Sequence, residues 1–319
     1  AGRRPGDGRE RAIAVGVTAP GEPLGLWGTY RAARRNILEL IPEPAYREPI
    51  LRGGRPGRPG WIMVQDPPWL EHVLKTREPD YPKSPVTKRI LRPRRGENIL
   101  TLEGAEWRWR HRAMTPMFQR AAILAQGPAM SAAADAAATR IEARAGGEAD
   151  VYPEMVAATC DVIADVALSG REALDRQVVT EGISAFIRNV ARLSLLDVIG
   201  VPAWVPRPGR LLDRTGPRID AMMDAIIAAR RERGPSEPQD MLDMLLAAED
   251  PETGQRMSDV ELRNNLLAFI AAGHETTALA LAWALYLLAF DSAHGGDVQA
   301  RARDEAREAM GDRAAAGAG

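Results

Sequence analysis

Leu266-Leu267-Ala268-Phe269-Ile270-Ala271-Ala272-Gly273-His274-Glu275-Thr276-Thr277-Ala278-Leu279-Ala280-Leu281-Ala282-Trp283-Ala284-Leu285-Tyr286-Leu287-Leu288-Ala289-Phe290 is an apolar run interrupted at its centre by a histidine, a glutamate and two threonines. It is apolar on every side of a helical projection, so it predicts either the middle helix of a large core or a membrane span. Ser258-Asp259-Val260-Glu261 upstream is a capping box, and no breaker follows until Asp291 and Gly295-Gly296. The predicted helix, Asp259 to Phe290, is about 32 residues or roughly 48 Å long, enough to cross a domain.

The polar centre chooses between the two. Ionisable groups at bilayer depth cost roughly 2.5 kcal/mol or more each, and no basic flank marks a cytoplasmic side. A core helix is expected, and no membrane. Buried Glu and Thr must be hydrogen-bonded or used, and Ala271-Ala272-Gly273 removes side-chain bulk beside them. That combination predicts a ligand platform. A His-Glu-x-x-His zinc site is ruled out because position 278 is Ala.

Outward from this helix, the pattern is helical over most of the chain. Helices are expected at Glu106 to Gln119, Ala121 to Ala145, Tyr152 to Leu168, Asp175 to Ile199, Gly209 to Arg233 and Asp240 to Ala248, with a charged one ending near Met310. Near the N-terminus, Ile50 to Gly54 and Gly60 to Val64 flank a Gly/Pro-rich turn and predict two short strands. Asp66-Pro67 then opens a short helix through Lys75, with Asp as N-cap. Residues 78 to 102 predict a long loop. Residues 1–20 are expected to be a disordered tail, 21–310 the folded region and 311–319 a low-complexity tail.

Composition agrees. The chain has 319 residues, and 42 Lys and Arg against 43 Asp and Glu leave no field that would recruit nucleic acid or an anionic membrane. A single cysteine, Cys160, cannot form an internal disulfide, and with no apolar segment of signal-peptide length at the N-terminus a cytoplasmic location is expected. Cys160 sits mid-helix on an apolar face and reads as a small buried hydrophobe, not a metal ligand.

A second constellation lies in Glu103-Gly104-Ala105-Glu106-Trp107-Arg108-Trp109-Arg110-His111. Four residues along a helix put Trp107 and His111 on one face, where an indole N–H and an imidazole can donate to one anion. The alternative is an amphipathic surface helix with Arg108, Arg110 and Arg112 solvated.

Taken together these motifs resemble the cytochrome P450s. Ala272-Gly273-His274-Glu275-Thr276-Thr277 is similar to the oxygen-activation motif of that family, and Trp107 with His111, followed by Pro116 and Phe118, resembles its propionate-side helix. The resemblance implies a mainly α fold with a small N-terminal β-sheet, an incomplete cytochrome P450 fold built around a long central helix. It further implies haem as cofactor, dioxygen and a small apolar molecule as substrates, and a redox partner, ferredoxin or flavoprotein reductase. By the same resemblance Thr276 donates to oxygen, Glu275 relays protons, Ala272 and Gly273 leave room above the haem, and Trp107 and His111 hold a propionate. The arginines resemble a basic docking patch for the redox partner.

Breaking an O–O bond needs protons delivered into a water-poor pocket, which suits a hydroxyl beside a carboxyl. Thr276 is expected to bond the Ala272 carbonyl four residues back and bend the helix. Pocket-lining residues are expected near Val86 to Leu91, Phe186 and Leu266.

The family's Phe-x-x-Gly-x-x-x-Cys-x-Gly loop, which supplies the thiolate to iron, and its Glu-x-x-Arg pair have no match here. The expectation is therefore a C-terminally truncated member, inactive as a monooxygenase by itself, with part of its long helix uncovered. The alternative kept open is a haem-free helical binding or scaffold protein using the same apolar cleft.

Overall fold

The computed structural model describes residues 17–53, 61–85, 87, 88, 91, 96–168, 175, 177–182, 215–237 and 239–310. Most of the expected N-terminal tail, all of the 311–319 tail, most of the helix expected from Asp175 to Ile199 with its Phe186, and Val86 lie outside them.

The sheet forms as expected. Strands β1 (Ile50–Gly53) and β2 (Trp61–Val64) pair antiparallel, with Ile50 opposite Val64 and Gly53 opposite Trp61. Gly53 is required there, since a Cβ would fall within the Trp61 indole. Helix α1 (Leu26–Arg35) precedes the sheet and was not foreseen. It ends where the Asn36 side chain turns back to accept from the Leu38 amide at 3.1 Å. Helix α2 (Pro67–Glu71) begins under an Asp66 cap, and the expected continuation to Lys75 is made by a π-helical turn, His72–Thr76.

The remaining helices surround one long element. They are α3 (Gly104–Met114), α4 (Arg120–Ala125), α5 (Gly127–Glu142), α6 (Val151–Leu168), α7 (Thr215–Arg233), α8 (Met241–Ala247), α9 (Asp259–Ala293) and α10 (Val298–Met310). Residues 177–182 are also helical. The single helix expected from Ala121 to Ala145 is two, divided at Gln126 before Gly127-Pro128. Proline suits the first turn of a new helix, not the middle of an old one. The capping box at the start of α9 forms, with Ser258 and Glu261 exchanging hydrogen bonds, and the helix runs three residues past Phe290.

Two apolar clusters meet on α9. Leu262, Leu266, Leu267 and Ile270 pack with Cys160, Ile163, Ala164 and Leu168 of α6, Ile219, Met223 and Ile227 of α7, and Met241, Leu242 and Leu245 of α8. Further along, Ala278 meets Ala133 and Ala137 of α5 and Met155, Val156 and Ala158 of α6. Burial then stops. Leu279, Leu281, Trp283, Leu285 and Leu287 are 37–50% exposed. A helix buried on all sides along its length is therefore corrected: the N-terminal part is core, and the remainder is only partly covered, by Tyr152 of α6 and by α10. By length and composition α9 is also the one helix among them that could cross a membrane.

A buried ion pair locks α7, α8 and the end of α6 together. The Arg230 guanidinium, 2% exposed, donates to Asp240 at 2.7 and 2.9 Å, to Asp243 at 2.6 Å and to the Leu168 carbonyl at 3.0 Å. Removing one partner of such a pair leaves the other charges buried and uncompensated. Arg230→Ala is expected to destabilise the fold by about 3–5 kcal/mol, measured as the drop in urea-unfolding free energy. The partly covered half of α9 forms a contiguous apolar surface of the kind that drives association. The 319-residue chain is accordingly expected to bind a hydrophobic dye and to scatter light as oligomers, whereas a dye-negative, monodisperse monomer would contradict this.

Candidate active site on the central helix

The polar centre of α9 divides among three directions. Successive residues in a helix are about 100° apart, so Ala272 and Thr276 share one face, Gly273 lies on another, and His274 and Ala278 share a third.

Ala272 and Thr276 are exposed, and the Thr276 hydroxyl donates to the Ala272 carbonyl at 2.5 Å. The expected back-bond is present, and α9 runs through it without interruption. Gly273 faces α6, where an added Cβ would stand 3.1 Å from Cδ1 of Ile163. Its missing side chain lets α6 and α9 approach closely.

His274 is fully buried, and its polar neighbours are the Glu275 carboxylate and the Val156 backbone. Burial pushes its pKa down, partly offset by Glu275, whose carboxylate lies 3.8 Å from Nδ1, and by the Val156 backbone. Glu275 is half-buried and accepts a hydrogen bond from the phenol of Tyr152, in the first turn of α6. Burial and that carboxylate raise the Tyr152 pKa to about 12. Tyr152 was missed by sequence reasoning, since it lies 123 positions from its partner.

The second constellation also assembles. Trp107 is half-buried, and its ring stacks on exposed His111 with centroids 4.6 Å apart. The Lys83 ammonium sits 5.6 Å from the centroid of Trp107 while donating to the Ile99 carbonyl at 2.7 Å. Lys83 was not foreseen, because its loop is folded back through Glu103, which accepts from the Lys83 amide and pairs with Lys88. The solvated reading of Arg110 is corrected. It is 3% exposed, lies over the Trp109 ring, and pairs with Glu106 one turn back and Glu261 at the start of α9. Two carboxylates draw the guanidinium inward and leave only Arg108 and Arg112 exposed.

The family model for cytochrome P450 matches residues 51–316. The chain belongs to the cytochrome P450 family. Among curated proteins it is similar to a self-sufficient cytochrome P450 monooxygenase of Phanerodontia chrysosporium, with 32% identity over 68% of this chain and 21% of that one. It is similar too to cyclooctatin synthase of Streptomyces melanosporofaciens, with 29% identity over 88% of this chain and 60% of that one. Among solved structures it superposes on the haem domain of a cytochrome P450DA mutant with a TM-score of 0.65, at 26% identity over 88% of this chain and 60% of that one. The chain thus spans a fifth to three-fifths of the length of these P450s. Membership does not favour the haem-free scaffold alternative.

P450s are haem enzymes, and the residues present fit that group on two sides. Ala272 and Thr276 offer a low, exposed strip with one hydroxyl, and Trp107, His111 and Lys83 gather donors suited to a carboxylate. They do not supply the iron's own ligand. The chain's one cysteine, Cys160, is 1% exposed within the α6 core, and among the described residues no group of three His, Cys, Asp or Glu side chains is placed to hold a metal.

Two ionisations bracket the stability of this region. The folded-state pKa of His274 lies below the ordinary 6.5, so its contribution is intact above pH 6.5 and is lost as pH falls further. That of Tyr152 is raised from 10.0 to about 12, so its contribution is complete below pH 10 and is lost as pH rises to about 12. Denaturation midpoints across pH are expected to fall at both ends, with Tyr152→Phe flattening the alkaline limb and His274→Gln the acid limb.

Proposed function

We propose that this chain is part of a haem-dependent monooxygenase that activates dioxygen to hydroxylate a small apolar substrate, with electrons drawn from a ferredoxin or flavoprotein reductase. The observation that carries this reading is the Thr276 hydroxyl on the exposed strip of α9, bonded to Ala272 and flanked in sequence by a half-buried carboxylate. Bound haem supplies the iron at which dioxygen is held and reduced. The protein supplies position and protons.

Thr276 presents its hydroxyl above the site, and the absence of bulk at Ala272 keeps that approach open. Glu275 holds the proton that Thr276 passes on, and its Tyr152 partner keeps the carboxyl in place between transfers. Trp107, His111 and Lys83 would hold the anionic edge of the group. A soluble, cytoplasmic location belongs to the same proposal.

Because Cys160 is locked in the α6 core, the 319-residue polypeptide by itself is proposed to form no thiolate-ligated haem and to be inactive alone. Reconstitution with haem followed by a reduced carbon-monoxide difference spectrum is expected to lack the thiolate-type band, and its presence would overturn this. In the longer, haem-loaded protein of which this chain is proposed to be part, Thr276→Ala is expected to lower product formed per electron consumed by about tenfold or more, while Thr276→Ser retains most of it.

A further inference from the structure

A glutamate side chain has three rotatable bonds, and a half-buried one on an apolar helix has little to select its rotamer. Among the described residues, one donor meets the Glu275 carboxylate: the Tyr152 hydroxyl. The other polar neighbour, Nδ1 of His274, stands at 3.8 Å, beyond a hydrogen bond.

Tyr152 is itself well fixed. It lies in the first turn of α6, whose Asp150 carboxylate accepts from the Tyr152 amide at 3.1 Å. Its ring forms one wall of a hollow of about 300 Å³ completed by Leu279, Ala282, Trp283 and Tyr286 of α9. Four of these five residues belong to α9 and are apolar or aromatic, and the phenol turns its O–H out of this wall to Glu275. The aromatic ring is rigid, whereas the carboxylate is flexible. In such a pair the rigid partner sets the geometry of the flexible one.

We infer that Tyr152 is a positioning residue for the oxygen-side chemistry: it holds Glu275 on the α6 flank of the central helix, one residue from Thr276, and so determines where the proton-carrying carboxyl waits. The inference rests on the proposed role of Glu275 as a proton relay. Tyr152 touches neither dioxygen nor substrate and acts only through Glu275. Its raised pKa keeps it protonated at neutral pH, so it remains a donor across the working range while the carboxyl exchanges its own proton.

The test has two arms. In the 319-residue chain labelled with ¹³Cζ-tyrosine, one of the five tyrosine resonances is expected at the position of a phenol donating to a carboxylate at pH 7. That resonance should vanish in Tyr152→Phe and move in Glu275→Gln. In the longer, haem-loaded protein of which this chain is proposed to be part, dioxygen that takes up two electrons and two protons without O–O cleavage leaves as hydrogen peroxide. Tyr152→Phe is expected to raise the peroxide share of consumed electrons several-fold and to shift the pH profile of product formation. It should add nothing when Glu275 is already Gln.

If no tyrosine resonance responds to Glu275→Gln, the contact and the inference both fall. If the contact is present and Glu275→Gln uncouples turnover but Tyr152→Phe does not, the inference falls while the relay reading stands. If the contact is present and neither change alters coupling, the relay reading of Glu275 is overturned and the positioning role falls with it.

Discussion

The close approach of α6 to α9 is the constraint on which the rest of this molecule depends. It is tight at Gly273, where an added Cβ would stand 3.1 Å from Cδ1 of Ile163, and it sets which residues of α9 face α6. That arrangement seals His274 inside, turns Glu275 toward Tyr152 and leaves Ala272 and Thr276 on the open side. His274 and Thr276 point about 160° apart around α9, so the same packing that seals one leaves the other open. The chemistry of the central strip is thus decided by helix packing before any cofactor or substrate is considered.

What the amino-acid sequence revealed and what it hid divide by distance along the chain. The capping box of α9, the Asp66 cap, the strand pair and the Thr276 back-bond all follow from partners within a few residues or from a short hairpin, and each was legible. The stacking of Trp107 on His111 follows from helical period alone. Tyr152 on Glu275, Lys83 over Trp107 and Arg230 on Asp240 join residues 10 to 123 positions apart through tertiary folding, and no local pattern marks them. Arg110 shows the same limit from the other side. An arginine in a run of arginines reads as solvated until the fold brings Glu261 to it.

The Gly273 position illustrates how a motif residue can answer two demands. Family resemblance assigns its smallness to the space above a haem, and the packing assigns it to Ile163. Both concern the same missing atoms, so a variant at Gly273 would disturb the helix pair as well as the cavity, and its effect on activity alone would be uninterpretable. Ala272, exposed and pointing away from α6, is the cleaner probe of the open side.

The bond from Thr276 to Ala272 also carries a consequence for who owns a hydrogen. A hydroxyl has one, and here the helix has already claimed it. Toward the open side, the threonine in this state offers lone pairs and a methyl group, an acceptor where a donor is required. To donate outward it must leave the Ala272 carbonyl, which keeps the Thr276 amide as its helical partner. The exchange therefore orphans no backbone group. The strip behaves as a latch with two settings, and the threonine changes from acceptor to donor when an acceptor on the open side competes for its hydrogen.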